Sequence, residues 1–352
     1  MSKRSVFICR DFMLDSVLDG VSAKLEQAGI EVIRGPAPQP GVKLTYPPET
    51  REALFSRAEV AMFSSRSICS RELMLAAPKL RGIVNATIGL ETVDTDAANE
   101  LGIIVGHGAT PQNFLSMAES TVMLMLMLMY QPKKSEEVMQ GKRSRPNPVP
   151  SEAWARMMLK RTVGLVGLGR IGRGVVERLS GWGMRILAHD PFVKPESAPA
   201  GVTLVDLDTL MRESDIVSVL VAVTPDNVGM IGARQLALMK PDAYLVNTSR
   251  GQAIDEKALY EALRDKRIAG AALDTFEIEP LPQSSPLRTL DNVILTPHVV
   301  GHTADVYASF IPAAYENITR ILRGELPLHC KNPGIEAKWH DRIARLGTGS
   351  RI

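Results

Sequence analysis

Residues 162–174 read TVGLVGLGRIGRG. A short apolar run of strand character leads into three glycines, Gly167, Gly169 and Gly172, and then into a stretch with helical character. A strand that turns into a helix through G-x-G-x-x-G needs Gly167 for a tight turn and Gly172 for close packing of helix on strand. Gly169 lets an anion approach the backbone. The unpaired N–H groups of the first helical turn then face phosphate oxygens. The pattern alone is weak, so its surroundings decide. The next strand, MRILAHD at 184–190, ends in Asp190, 18 residues beyond Gly172. An acid at that distance accepts hydrogen bonds from ribose hydroxyls and repels a 2′-phosphate, which favours NAD over NADP. Lys194 is the nearby cation that would tolerate a 2′-phosphate, although Pro191 turns the chain between the two.

The turn sits near the middle of 352 residues, so a separate α/β unit must precede it. Short apolar runs alternate with helix-like stretches at 5–9, 31–34, 60–64, 81–86 and 102–106. They restart at 162–167, 184–190, 215–220, 243–248, 270–274 and 292–296. Such alternation predicts two doubly wound parallel sheets in an α/β protein. Residues 304–324 read as a long helix that contains Pro312 and stops at Gly324. The stretch 131–154, rich in proline and charge, reads as surface loop, its basic residues Lys142, Arg143 and Arg145 solvated.

The run TVMLMLMLMY at 121–130 is shorter than the roughly 18 residues of a membrane span. It reads as a buried helix with a capping-box start at Ser116 and Glu119. Apolar on every side, that helix must be covered by its own domain or by another subunit. The N-terminal apolar stretch of about four residues falls short of the roughly 7–15 of a secretory signal. A net charge of +2 implies no polyanionic partner, nucleic acid or membrane. Cys9, Cys69 and Cys330 are scattered and odd in number, which points to a reducing, cytoplasmic setting with neither a disulfide framework nor a zinc site.

Three further strand ends carry polar side chains, where open α/β sheets bind ligands. LVNTSRG ends near Arg250, AALDTFEIEP holds Asp274, Glu277 and Glu279, and LTPHVVGH holds His298 and His302. An arginine can clamp a substrate carboxylate through paired hydrogen bonds. A histidine can pass a proton near neutral pH, and a carboxylate beside it orients the ring and favours its charged form. With a nicotinamide, the set suits hydride transfer to a 2-keto acid. Spacing alone leaves Glu277 and Glu279 equivalent. The H-x-x-x-H spacing of His298 and His302 is not read as a metal site, because Pro297 and Gly301 spoil the helix it needs.

Together with VGLGRIG and HDP, the stretches IGLETVD, NFLSMAE, MKPDAYLVNTSRGQAIDEKAL, AGAALDTFEIEPLP and NVILTPHVVGHT resemble the D-isomer-specific 2-hydroxyacid dehydrogenases over about residues 60–325. The resemblance implies a Rossmann NAD-binding domain at 108–299 inserted into a flavodoxin-like substrate domain formed by 1–107 and 300–352. The site would lie in a cleft closed by hinge motion. It implies Arg250 as substrate clamp, Glu279 as partner carboxylate and His298 as acid/base. The cofactor set would be Gly167, Gly169, Arg170, Ile171, Gly172, Asp190, Thr224, Thr248, Asp274 and Gly301, with Asp274 on the nicotinamide carboxamide. Ile88, Gly89, Arg66 and Arg250 would bind a small 2-hydroxy or 2-keto acid, and the protein would form a homodimer through its NAD-binding domain. Fewer than thirty residues follow the long helix, too few for the regulatory domain of some phosphoglycerate enzymes.

The sequence departs from the family pattern at Thr87, Glu91 and Thr92, at 107–110 and at 220–223, which border the expected pocket. Other readings of the same fold are an NAD(H)-sensing, corepressor-like module without turnover and a formate- or phosphite-type dehydrogenase. Glu279 argues against the last.

Overall fold

Five short strands, β1 (Ser5–Ile8), β2 (Glu31–Arg34), β3 (Val60–Phe63), β4 (Gly82–Asn85) and β5 (Ile104–Gly106), build the first sheet. All neighbours run parallel, in the order β2-β1-β3-β4-β5. Every residue of β1, β3, β4 and β5 is buried, as strands covered on both faces must be. The structure, a computed structural model, describes residues 3–39, 42–145 and 155–348.

The core of this unit is aromatic near β1, where the Phe7 and Phe55 rings lie 4.3 Å apart beside Tyr46 and Phe63. The helix Ala304–Arg323 starts on Thr303, whose hydroxyl accepts the Val306 amide. It runs through Pro312 and ends at Gly324, where φ of +81° suits glycine. Its Ile318 and Ile321 enter the same core. The helix Glu336–Thr348 follows, anchored by the fully buried Trp339, whose indole N–H donates to the Arg81 carbonyl at 2.7 Å.

The second sheet comprises β6 (Thr162–Val166), β7 (Arg185–His189), β8 (Val202–Leu204), β9 (Ile216–Val219), β10 (Tyr244–Asn247), β11 (Gly270–Leu273) and β12 (Val293–Leu295). Its order is β12-β11-β10-β9-β6-β7-β8, again all parallel. The winding reverses between β6 and β9, and the glycine turn follows β6 directly. This is the topological switch point at which doubly wound sheets bind dinucleotides. The first sheet has the flavodoxin order, with its switch point between β1 and β3.

The chain divides into Met1–Gln112 with Thr303–Ile352, and Asn113–His302. The breaks fall at 112/113 and 302/303 rather than at 107/108 and 299/300. Local bonding explains the shift. Gly108 packs so closely on Ala86 that a Cβ would lie 2.0 Å from its carbonyl oxygen, and the Thr110 hydroxyl bonds Ser309 at 2.9 Å. Those contacts keep 108–110 in the first unit. At the other break, the Val300 and Gly301 carbonyls accept the Ser120 and Ser116 hydroxyls, which keeps them in the second.

Three local expectations are corrected. The apolar helix spans Pro111–Tyr130, so Ser116 lies inside it and caps nothing. Its hydroxyl donates to Gly301, and Glu119 pairs with Arg178 at 2.9 Å. Pro132–Met139 is helical rather than loop, with proline in its first turn; residues 146–154 of the expected loop lie outside the described residues. Strand β8 was not expected, being a three-residue, partly exposed edge strand.

The helix Pro111–Tyr130 is long and apolar enough by composition to cross a membrane, yet half of its most apolar window is buried. Ala118, Val122, Leu124 and Met125 pack with Leu165 and Val246 of the sheet. Its remaining face is not covered all round. Met123, Tyr130 and the neighbouring Trp182 are exposed and border a groove of about 600 Å³.

Candidate active site

The glycine turn has the geometry of a phosphate cradle. Gly167 has φ of +103°, and a Cβ there would meet the Leu220 carbonyl at 2.9 Å. A Cβ on Gly172 would lie 2.5 Å from the Gly167 oxygen. At Gly169 nothing comes within 4 Å of an added Cβ, so this side of the turn is open. The helix Arg170–Leu179 begins there without a side-chain cap, which leaves its first-turn N–H groups for an anion. Asp190 is fixed beside the turn, Oδ2 accepting the Leu168 amide at 2.8 Å and Oδ1 the Phe192 amide at 3.0 Å. These residues fit a dinucleotide whose pyrophosphate meets the turn and whose ribose meets the carboxylate.

The other expected cofactor residues are spread more widely. The Arg170 guanidinium stacks 4.5 Å from the Phe114 ring, and Ile171 packs at the edge of the core. Thr224 is exposed and opens a short turn, its amide bonded to Asn227 at 2.7 Å. Thr248 is buried, its hydroxyl 2.9 Å from that of Thr121. Gly301 is buried against Met117, whose sulfur would lie 2.0 Å from a Cβ.

Three loops at the carboxyl ends of β10, β11 and β12 carry Arg250, Glu279 and His298. Asn247, the last residue of β10, shapes the first. Its Nδ2 donates to the Arg250 carbonyl at 3.0 Å and its Oδ1 accepts the Ser249 amide and hydroxyl. Gly251 then packs onto the Phe276 backbone, where a Cβ would overlap the carbonyl carbon at 1.9 Å. This contact ties the Arg250 loop to the loop of Glu279.

Glu279 accepts the Phe276 amide on Oε1 at 3.1 Å and meets Nδ1 of His298 with Oε2 at 2.8 Å. Glu277 instead accepts the Glu256 amide at 3.0 Å, at the start of the helix Glu256–Arg264. The partner of His298 is therefore Glu279. Burial works against its charge, but the hydrogen bond and charge of His298, the Phe276 amide and the Arg250 guanidinium outweigh that cost. Its carboxyl is held below the ordinary glutamate range.

Asp274 sets the turn that presents His298. Its Oδ1 accepts the Thr296 hydroxyl at 2.7 Å and the Val299 and Val300 amides at 3.1 and 3.2 Å. His298 itself has φ of +56°, a left-handed conformation that non-glycine residues seldom adopt. Burial pushes the Asp274 carboxyl above its usual range, against the effect of these hydrogen bonds and of His298. Sequence reading missed Asn247 and Thr296; their only signal was a polar residue at or just past the end of an apolar strand.

Arg66, Ile88 and Gly89 belong to the first unit, and Arg250, Glu279 and His298 to the second. Ile88 and Gly89 lie half-buried in the loop after β4, where Asn85 donates to the Gly89 carbonyl. Arg66 follows β3 and is paired with Asp11.

A glycine turn with the geometry of a dinucleotide cradle and a histidine–carboxylate contact at the strand ends of one doubly wound sheet are the features of a pyridine-nucleotide dehydrogenase fold. Residues 122–300 match the family model described as D-isomer specific 2-hydroxyacid dehydrogenase, NAD binding domain. A D-3-phosphoglycerate dehydrogenase of Methanocaldococcus jannaschii is 40% identical over 283 residues, covering 79% of this chain and 53% of that protein. A glyoxylate reductase of Korarchaeum cryptofilum is 38% identical over 268 residues, covering 74% of this chain and 79% of that protein. The solved D-lactate dehydrogenase of Aquifex aeolicus, complexed with NAD and lactic acid, superposes with a TM-score of 0.77 at 26% identity, covering 91% of this chain and 96% of that one. The chain belongs to the D-isomer-specific 2-hydroxyacid dehydrogenase family. Its cofactor is NAD, and it spans about half the length of the phosphoglycerate dehydrogenases it matches.

Proposed function

We propose that this protein interconverts a small D-2-hydroxy acid and its 2-keto acid with NAD. The observation that carries this reading is the 2.8 Å contact of His298 with Glu279, in the field of Arg250. Bound NAD(H) supplies the hydride acceptor or donor. Arg250 holds the substrate carboxylate and polarises the adjacent carbonyl. In reduction, protonated His298 donates its proton to the substrate oxygen while Glu279 supports the ring's charge; in oxidation the neutral ring takes that proton back. Asp274 positions His298 through the turn it binds, and its Oδ2, with one long contact to the Val300 amide at 3.4 Å, keeps acceptor capacity toward the nicotinamide carboxamide. Ile88 and Gly89 offer backbone amides to the substrate. Thr224, Thr248 and Gly301 are kept as cofactor contacts on the family resemblance.

The groove along Met123, Leu126, Met127, Tyr130 and Trp182 is the surface through which we propose a homodimer. Its apolar centre and the Glu119–Arg178 pair at its edge suit a second copy of the chain. Three free thiols suit a reducing, cytoplasmic location.

Mixing the protein with NADH and a panel of 2-keto acids while following absorbance tests the reading. Turnover is expected with a small keto acid, and NADH should outperform NADPH by about tenfold or more in kcat/KM because Asp190 repels the extra phosphate. Tight NADH binding without turnover on any keto acid would instead identify a sensor. Sedimentation of the same sample should give the mass of two chains, and a monomer would remove the dimer.

A further inference from the structure

Strand β10 is buried along its whole length, yet it ends in a carboxamide, Asn247, that is only 1% exposed. A buried carboxamide is costly unless its polar atoms find partners. Here both do, within the next three residues. Oδ1 accepts the Ser249 amide at 3.0 Å and the Ser249 hydroxyl at 2.8 Å, and Nδ2 donates to the Arg250 carbonyl at 3.0 Å. The backbone beneath this side chain is fixed as well. Asn247 lies opposite Val219 of β9 and Leu273 of β11, and its carbonyl accepts the Asp274 amide at 3.0 Å.

The peptide between Ser249 and Arg250 is therefore held on both sides by one rigid side chain. The carbonyl oxygen of that peptide in turn accepts Nη1 of Arg250 at 2.8 Å. Asn247 sets the direction of the carbonyl, and the carbonyl sets the position of the guanidinium. An arginine has a long, rotamer-rich stem, and its planar fork meets a carboxylate in two parallel hydrogen bonds only when correctly aimed. A guanidinium already held in place loses less freedom when an anion binds.

We propose, resting on the reading of Arg250 as the carboxylate clamp, that Asn247 is a positioning residue for the reaction. Through the Ser249–Arg250 peptide it aims the guanidinium, and so contributes to the preference for substrates that carry a carboxylate. It acts through Arg250 and not on the substrate itself.

The test compares pyruvate with methyl pyruvate, which keeps the keto group and lacks the charge, on wild-type and Asn247→Ala protein with NADH. The wild type should prefer pyruvate by about tenfold or more in kcat/KM. Asn247→Ala should cut kcat/KM for pyruvate by about tenfold or more, with KM rising more than kcat falls, and leave methyl pyruvate within about threefold. A merely structural role would lower both alike, so an unchanged preference overturns the proposal. NADH titration and thermal melting of the same preparation report whether the fold is kept. Should the alanine variant fail to fold, Asn247→Ser replaces it, because a hydroxyl keeps a hydrogen-bonding group at the buried strand end but is too short to reach the Arg250 carbonyl. A crystal structure of the variant decides without substrate: the guanidinium should leave the Ser249 carbonyl, and one still bonded there overturns the proposal. Wild-type protein that treats the two compounds alike would remove Arg250 as the clamp, and absence of turnover with every keto acid would defeat the dehydrogenase reading. In either case the guanidinium position in the variant still decides whether Asn247 aims it.

Discussion

Replacing His298 should lower kcat for keto-acid reduction by about 10² to 10⁴-fold, the usual contribution of a positioned general acid, while NADH binds as before. The choice of substitute matters. With φ of +56°, position 298 lies in the left-handed region, where histidine and asparagine are enriched over alanine, so an alanine there would add a small backbone cost that has nothing to do with proton transfer. Asparagine tolerates the left-handed region and cannot act as the acid, so His298→Asn separates chemistry from folding. The turn itself should survive in either variant. The groups that Asp274 holds are the Thr296 hydroxyl and the Val299 and Val300 amides, none of them from the imidazole. Steady-state kinetics and NADH titration on the same preparation check the result. Turnover within a few-fold of wild type would remove His298 from the reaction.

Glu279→Gln should move the pH profile of reduction to lower pH and cut the rate on its alkaline side by about tenfold per unit of displacement. The sign follows from the carboxylate. The hydrogen bond and charge of His298 help to hold the Glu279 carboxyl below its ordinary range, and a carboxylate in that contact stabilises positive charge on its partner. A glutamine keeps a hydrogen-bonding group beside the ring but withdraws the charge. In the wild type, the depressed carboxyl means that the pair persists as pH falls through the ordinary glutamate range and is lost only below it. Glutamine still accepts the Phe276 amide, so the loop should hold its shape. An alkaline limb that stays in place would show that Glu279 orients the ring without affecting its charge.

Much of the fold was legible because its strands are short, apolar and bounded by turns. Eleven of the twelve strands among the described residues were expected from such runs, and β8 escaped because three partly exposed residues carry no usable pattern. Local signals also misled. The S-x-x-E at 116–119 has the form of a helix start, but the helix begins at Pro111, and the Ser116 hydroxyl serves the Gly301 carbonyl instead. The proline and charge of 131–154 read as loop, whereas Pro132 opens a helix. In both cases one residue type has two uses, and only the packing around it selects between them.

The glycine turn and the acid after β7 depend on backbone sterics and a short stretch of chain, so residue order by itself determined the cradle, the NAD preference it implies and the alternation that makes two doubly wound sheets. The partner of His298 was a tertiary decision. Glu277 and Glu279 have equivalent spacing to it, and the β11 loop turns one carboxylate to the imidazole and the other to a helix start. The Asp11–Arg66 pair, 55 positions apart, likewise exists only because β1 and β3 are neighbours across a sheet. Contacts of this kind depend on where distant backbone segments are brought side by side, and a linear pattern of residue types carries no record of that.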